Sequence, residues 1–279
     1  TVLEVGPRLE TAYDPADYRW VSSALDNIDA TLRHLDGLGH VDTMVSIVEH
    51  VALIWGFVDP PRGERVITRV LDSRNLDDGQ RARVLTSRAQ LRSWAGDIIA
   101  CLADAAAAAE LADAVGDRWI ANRARFYYSQ VMVWVDPIAG VQMQAEVAAV
   151  AHELGDLLTE TTSLIGLGGA QIGILTHRST GRATLAEGGR LTEQLANPVA
   201  SSWYWSQRAL DAAYGGQLDE AERWSDEAIR LLAVVGEALG VGGLLVGGKA
   251  LGDVGLERGD PVLLTRQQVS LVGDLTDQR

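Results

Sequence analysis

Cysteine is nearly absent from this sequence: the 279 residues contain one, Cys101. A single thiol cannot form an intramolecular disulfide, which excludes a small secreted scaffold held together by such bonds. Cys101 also lies within a predicted helix among apolar neighbours, where a buried, unreactive thiol is expected. The cysteine content therefore indicates a reducing compartment, and we expect a cytoplasmic protein.

Long apolar runs and positive charge are scarce as well. No uninterrupted apolar run reaches the roughly 18 residues that a membrane span requires, and no signal-peptide pattern is present. The net charge is −14 and Lys249 is the single lysine, so the chain should repel a phosphate backbone. We expect no membrane association and no direct nucleic-acid binding by this segment. Because the sequence starts at Thr1 without a methionine, we expect it to be a fragment of a longer chain.

A period near 40 residues is the strongest positive signal. Two classes of short turn alternate about twenty residues apart, and each follows a stretch with helical apolar spacing. The first class comprises Trp94-Ala-Gly-Asp97, Tyr214-Gly-Gly-Gln217 and Arg258-Gly-Asp-Pro261; the second comprises Val115-Gly-Asp117, Leu154-Gly-Asp156, Asn197-Pro198 and Val235-Gly-Glu237. Small residues recur at the same period, at Ala89, Ser129, Gly168, Ala209 and Gly252. Each unit is therefore predicted to contain two closely crossing helices.

The resulting prediction is an all-α protein without strand patterns. Helices are expected at about 17–36, 41–57, 61–74, 79–95, 97–115, 118–135, 138–154, 157–175, 182–196, 199–215, 218–235 and 238–258. Because a helix pair cannot bury its apolar face alone, neighbouring pairs must stack. We predict one right-handed α-solenoid of about five helix pairs, with N-terminal capping helices over 1–78 and repeats over 79–279.

Several segments resemble tetratricopeptide-type repeats: residues 82–97, residues 105–119 and Tyr214-Gly-Gly-Gln-Leu-Asp-Glu-Ala221. The boundary Val115-Gly-Asp-Arg-Trp119 is similar to the C-terminal repeat region of large ATP-dependent LuxR-type and AfsR-type transcriptional regulators of actinobacteria, and Asp26-Asn27-Ile28 resembles the start of that region. The resemblance covers about residues 15 to 260. It departs at an irregular turn over Thr176 to Thr180 and at Arg88 and Arg125, which occupy usually apolar positions. It implies a segment that receives an inducer or a partner protein, between a nucleotide-binding domain and a helix-turn-helix domain.

A phosphate-loop pattern, Gly243-Leu-Leu-Val-Gly-Gly-Lys-Ala250, places the lysine where nucleotide binding would need it. The pattern has no preceding strand, and Ala250 stands where a hydroxyl would bind magnesium, so glycines for tight helix packing are the favoured interpretation. The five histidines show no metal-binding spacing. We predict no cofactor, no metal and no enzymatic activity.

A repeated trio carries the site prediction. Arg83, Gln90 and Trp94 recur 40 residues later as Arg123, Gln130 and Trp134, and steps of seven and eleven return to one helix face. On a tetratricopeptide frame this face is concave, with Gly166, Gly168, Gly169 and Gly173 leaving room opposite it and Trp203 closing the far side. Arginine forks and indole surfaces suit a flat or carboxylate-bearing ligand. The alternative is that copied repeats look alike and that the tryptophans are core residues; Trp205 is the expected core member of its cluster.

These observations predict the sensory or interaction segment of a transcriptional regulator, which binds a small-molecule effector or a protein or peptide in its concave groove. A protein–protein scaffold without a small-molecule ligand is the alternative. A nucleotide-binding enzyme is the remote one, since it depends on the pattern around Lys249 alone.

Overall fold

The computed structural model describes residues 1–73 and 76–241. Within these ranges every regular element is an α-helix, which confirms the all-α prediction. The helices are α1 (Val2–Thr11), α2 (Pro15–Ser23), α3 (Leu25–Leu38), α4 (Val41–Val58), α5 (Pro60–Leu71), α6 (Asp78–Ala95), α7 (Ile98–Val115), α8 (Arg118–Val135), α9 (Pro137–Leu154), α10 (Leu157–Gly173), α11 (Arg178–Leu195), α12 (Pro198–Tyr214) and α13 (Leu218–Leu239).

Glycine–aspartate pairs set most of the boundaries in the middle of the chain. Gly96 and Gly116 end α6 and α7 in the left-handed conformation, each with φ of 76°, which residues with a Cβ rarely adopt. The aspartate that follows then caps the next helix: the carboxylates of Asp97 and Asp117 accept hydrogen bonds from the backbone nitrogens of Ala100 and Ile120. The predicted boundaries at these turns are confirmed.

Several boundary predictions are wrong, among them the start of the helix expected over 182–196, since α11 already begins at Arg178, within the turn expected over Thr176 to Thr180. Helix α1 had no predicted counterpart, and the single helix expected over 17–36 is divided at Ala24 into α2 and α3. The turn expected at Val235-Gly-Glu237 is helical, because α13 continues to Leu239 and ends at Gly240. Val235, Ala238 and Leu239 are buried, and their packing keeps this stretch helical across Gly236. The rest of the helix expected over 238–258 lies outside the described residues.

Helices pack mainly on their neighbours in sequence, from α6 on α7 through α9 on α10, then α10 on α11 and α12 on α13. Every second helix from α4 to α12 also contacts the next member of that series. The small residues Ala89, Ser129, Gly168 and Ala209 are all buried, as predicted for close crossings; Gly252 lies outside the described residues. A methyl group on Gly168 would lie 2.8 Å from the backbone nitrogen of Leu185 in α11.

Helix α4 is the most apolar helix that the structure describes. It has 18 residues and a mean hydropathy of 1.5, so length and composition alone would allow it to cross a membrane. The expectation that no uninterrupted apolar run reaches this length still holds, because Asp42 and Glu49 interrupt α4, but its average hydropathy is that of a possible span. Val45, Val51 and Trp55 are fully buried, and α4 contacts α1, α2, α3, α5 and α6. A central core helix has the same composition.

The two ends of the described chain are joined. The hydroxyl groups of Tyr13 and Ser22 donate hydrogen bonds to the carbonyl oxygens of Val234 (2.9 Å) and Leu239 (2.8 Å) in α13. Tyr18 and Val21 of α2 share one buried cluster with Val235, Ala238 and Leu239 of α13. Helix α1 rests on α4, where Gly6 leaves room for the ring of His50. We refer to α1 and α2 together as the N-terminal clasp.

Candidate functional site

Arg83 and Arg123 occupy equivalent positions, each five residues after the first residue of its helix, α6 or α8. Together with Gln90 they line a cavity of about 20 Å³ between α4, α6 and α8. Its other lining residues are Glu49, Thr86, Ser87, Ile120 and Tyr127. The structure therefore brings three of the seven predicted site residues together, and we call this the polar cavity.

Glu49 is the lining residue that the sequence interpretation missed. Both of its carboxylate oxygens accept hydrogen bonds from the Arg83 guanidinium, from Nε at 2.8 Å and from Nη2. The hydrogen bonds that Arg83 donates to Glu49, together with the charge of Glu49, raise the pKa of Arg83, although partial burial opposes this. Arg83 is therefore held as a cation in a fixed orientation, and its remaining N–H groups are the donors open to a ligand.

Arg123 is held by a different set of contacts. Its guanidinium lies over the Trp119 ring, 4.5 Å from the ring centroid, and its Nε is 3.9 Å from an Asp156 carboxylate oxygen. Asp156 also accepts hydrogen bonds from the backbone nitrogen and the hydroxyl of Thr159, at the start of α10. Arg123 thus connects the polar cavity to the next helix pair. Both arginines have an acidic neighbour, so the cavity combines cationic donors with carboxylate acceptors.

Gln130 is not part of the polar cavity. Its side-chain amide lies against Gly166, where a methyl group would be 2.8 Å from the Gln130 Nε2 atom. The other glycines of α10 are covered as well: Gly168 by α11, Gly169 by the side chain of Gln207, and Gly173 by Leu210 and Tyr214. The expectation that these glycines leave room for a ligand is wrong, because neighbouring side chains and backbone fill the space.

The predicted tryptophans lie apart from the arginines. Trp94 and Trp134 are 37% and 40% exposed, and each is eleven residues beyond its arginine, about 16 Å along the helix axis. The ring of Trp94 meets that of Phe57 edge-on, with centroids 5.2 Å apart. The single face expected from the repeated trio is therefore divided into the polar cavity and a separate row of aromatic side chains.

The aromatic cluster of α12 differs from the prediction. Trp203, expected at the far side of the groove, packs with Tyr204 against the buried residues Ile165, Ile172 and Leu185. Trp205, expected in the core, is only half-buried. Its ring lies 5.0 Å from that of Tyr204 and 6.2 Å from that of Trp224. Trp203 is half-buried as well, but it contacts the buried cluster between α10 and α11, whereas the ring contacts of Trp205 are with Tyr204 and Trp224.

The arginines at usually apolar positions have acidic partners. Arg88 donates two hydrogen bonds to Asp104 (2.7 and 2.8 Å), and Arg92 donates a third to the same carboxylate at 2.7 Å. Arg125 pairs with Asp113 at the surface. These pairs replace the apolar contacts expected there, and they connect helices rather than forming a binding site.

Cys101 is fully buried, and burial raises the pKa of its thiol to about 12. At neutral pH it therefore remains protonated and unreactive, as the sequence predicted. In the part of the chain that the structure describes, no group of three or more His, Cys, Asp or Glu side chains is placed to hold a metal ion. The pattern over 243–250 and the turn at 258–261 lie outside the described residues.

Comparisons with protein-family models and with curated proteins gave no match.

Proposed function

We propose that this chain is the sensory or interaction segment of a transcriptional regulator, and that an effector or partner inserts a polar group into the polar cavity. The observation that carries the proposal is that Arg83 and Arg123, at equivalent positions of α6 and α8, converge with Gln90 on one space beside Glu49. The resemblance to LuxR-type and AfsR-type regulators supplies the regulatory setting. As part of the same proposal, the segment is cytoplasmic and contacts neither membrane nor nucleic acid, and its charge of −14 supports the latter.

A tetratricopeptide-like α-solenoid of about five helix pairs, behind N-terminal capping helices over 1–78, belongs to this proposal. The described residues hold four of the pairs, α6/α7 to α12/α13. The support for this solenoid is the packing of each helix on its neighbours in sequence, together with contacts between alternate helices. In such an array the first helix of each pair lines the concave side. That arrangement assigns α6 and α8, and with them the polar cavity, to the groove, beside α4 of the N-terminal cap.

The size and chemistry of the cavity restrict what can enter it. A space of about 20 Å³ accommodates one or two water molecules or one small polar group, but not a whole metabolite. The arginine and glutamine donors favour a carboxylate or amide oxygen. Glu49 already accepts hydrogen bonds from two of the five N–H groups of Arg83, so an entering carboxylate has the other three available. Its charge competes with that of Glu49 for the same guanidinium.

This competition gives a sharp test. Purified protein would be titrated calorimetrically with a panel of mono- and dicarboxylic acids and the corresponding amides. For any compound that binds, Arg123→Ala should weaken binding about tenfold or more, while Glu49→Gln should strengthen binding of the acids and leave the amides nearly unchanged. Arg118→Ala is the matched control, because Arg118 is exposed and pairs with the exposed Glu153.

Equal affinity of wild type and Arg123→Ala for every bound compound would contradict the proposal. Thermal unfolding of each variant, without added compound, separates lost binding from lost folding.

A protein–protein scaffold is the second candidate function, and two observations favour it: the small volume of the cavity and the exposed tryptophans of α6 and α8. In this case no panel compound would bind. A nucleotide-binding enzyme depends on residues 243–250 alone, and no described residue adds support for it.

A further inference from the structure

Three alternate helices, α4, α6 and α8, carry an aromatic residue at one equivalent position. Phe57, Trp94 and Trp134 each stand 16 residues after the first residue of α4, α6 and α8. Beside them, Ile99 and Ile138 are the second residues of α7 and α9 and are 62% and 73% exposed. We call these five residues the aromatic edge.

The aromatic edge presents large apolar side chains to solvent at regular intervals. Trp94 is partly exposed although it contacts Phe57 edge-on, and neither isoleucine is covered by the described residues. Scattered single apolar residues are normal on protein surfaces, whereas a contiguous row of them marks an interaction site. The aromatic residues recur at one helix position and the isoleucines at another, so the aromatic edge is a regular row and not a scatter of single residues.

Negative charge flanks the row. Asp97 and Asp136 are exposed and adjoin it, each capping the helix that carries one of the isoleucines. The arginine nearest in sequence to Trp94, Arg92, is 14% exposed and engaged by Asp104 and Glu64. The edge therefore combines an apolar centre with acidic flanks, within a chain of net charge −14.

We propose that the aromatic edge docks an amphipathic helix of a partner protein with basic residues beside its apolar stripe. Neighbouring helices lie about 10 Å apart, so the contacting helices α6 and α8 space their tryptophans by about that distance. Seven residues of an α-helix rise about 10.5 Å, and apolar residues at i and i+7 therefore match the two indoles. Lysine or arginine on either side of that stripe meets Asp97 and Asp136.

The probe is a synthetic helix of about 18 residues, with leucines at i, i+3, i+4 and i+7 and lysines on both flanks; a second peptide replaces the lysines by glutamates. Binding is followed by tryptophan fluorescence and calorimetry. We expect the lysine peptide to bind at least tenfold more tightly than the glutamate peptide. The double variant Ile99→Glu, Ile138→Glu should raise the Kd of the lysine peptide at least tenfold. Its unfolding temperature should stay close to wild type, because both side chains are exposed.

The matched control is Ile229→Glu, combined with Val234→Glu to equalise charge; both residues are exposed on α13. Both variants add two glutamates, which attract a cationic peptide. If only the edge variant binds the lysine peptide more weakly, the loss comes from the missing apolar contact. Arg123→Ala should leave peptide binding unchanged, which keeps this proposal separate from that for the polar cavity.

Four results would overturn the proposal, and the first three are equal weakening by the edge and control variants, equal affinity for the two peptides, and protein dimers in sedimentation that the edge variant dissociates. The third would assign the edge to a second copy of the chain. The fourth is binding of vesicles containing anionic lipid that the edge variant abolishes, which would assign the edge to a membrane instead.

Discussion

The hydroxyl of Ser22 donates a hydrogen bond to the carbonyl oxygen of Leu239, 217 residues further along the chain. Leu239 is the last residue of α13, and the final four carbonyls of a helix have no donor within that helix. The N-terminal clasp thus caps the last helix that the structure describes.

Replacing Ser22 by alanine should lower the free energy of unfolding by about 1 kcal/mol, the usual value of one partly buried hydrogen bond. Urea denaturation followed by circular dichroism measures it. Ser23→Ala is the control, because the Ser23 hydroxyl contacts only the local carbonyl of Trp20. If both variants had the same stability, the bond to Leu239 would contribute nothing.

Gly168→Leu should destabilise the protein by about 3 kcal/mol, because the new side chain meets backbone that cannot rotate away. Its first carbon would lie 2.8 Å from the Leu185 nitrogen and 2.9 Å from the Gly181 oxygen. Gly37→Ala is the opposite case: no atom lies within 4 Å of the added carbon, and the gain in helix propensity should stabilise α3 by several tenths of a kcal/mol. Thermal unfolding compares the two. An unchanged melting temperature for Gly168→Leu would mean that α10 and α11 do not cross here.

Asp104→Asn should cost about 3 kcal/mol, since it leaves the guanidinium groups of Arg88 and Arg92 without their shared counter-charge. Asp104 is 7% exposed, and the two arginines are 16% and 14% exposed. Asp113→Asn breaks the exposed pair with Arg125 and should cost less than about 1 kcal/mol. Chemical denaturation measures the free energy of unfolding of both variants. Equal decreases would show that the buried ion pairs of Asp104 contribute no more to stability than the exposed pair of Asp113.

Asp211 should make stability depend on pH in the acid range. Burial alone would raise the pKa of Asp211, but hydrogen bonds from Arg182 and Arg178 and their charges outweigh it, and the pKa lies below its usual 3.8. A carboxyl whose pKa is lowered by folding stabilises the protein above its unfolded pKa, and this contribution is lost as pH falls through the folded one. The stability difference between wild type and Asp211→Asn should therefore be constant from about pH 5 to 8 and shrink below about pH 4. A difference that grew on acidification would contradict this.

Local chemistry made much of the fold predictable. Gly96, Gly116 and Asp97 mark helix ends by backbone conformation and capping, which depend on a few adjacent residues. The division at Ala24 carries no glycine or proline signal. Helix α13 continues across Gly236 because the residues around it are buried against α2. This contact joins distant parts of the chain and cannot be predicted from the local sequence.

The candidate site was predictable to the same extent. The period of 40 placed Arg83 and Arg123 at equivalent positions, and the structure brings them to one cavity with Gln90. Glu49 was not found because α4 has no copy of the repeated trio. A step of eleven residues places each tryptophan on the same side of its helix as the arginine. The same step also separates the two along the helix axis, and the spacing rule does not take this distance into account. The aromatic edge could have been predicted from the sequence, since Phe57 occupies the same helix position as Trp94 and Trp134.

The clasp also bears on how the molecule unfolds. An open row of helix pairs frays from its ends, because a terminal pair has one neighbour and stability is nearly a sum of local terms. Here α13 has α2 as a further neighbour, and Tyr18, Val21 and Val235 share a fully buried cluster. Loosening either end removes contacts from the other, so we expect a single cooperative transition. The slowest-exchanging backbone amides of α2 and α13 should then open together, with matching free energies in native-state hydrogen exchange.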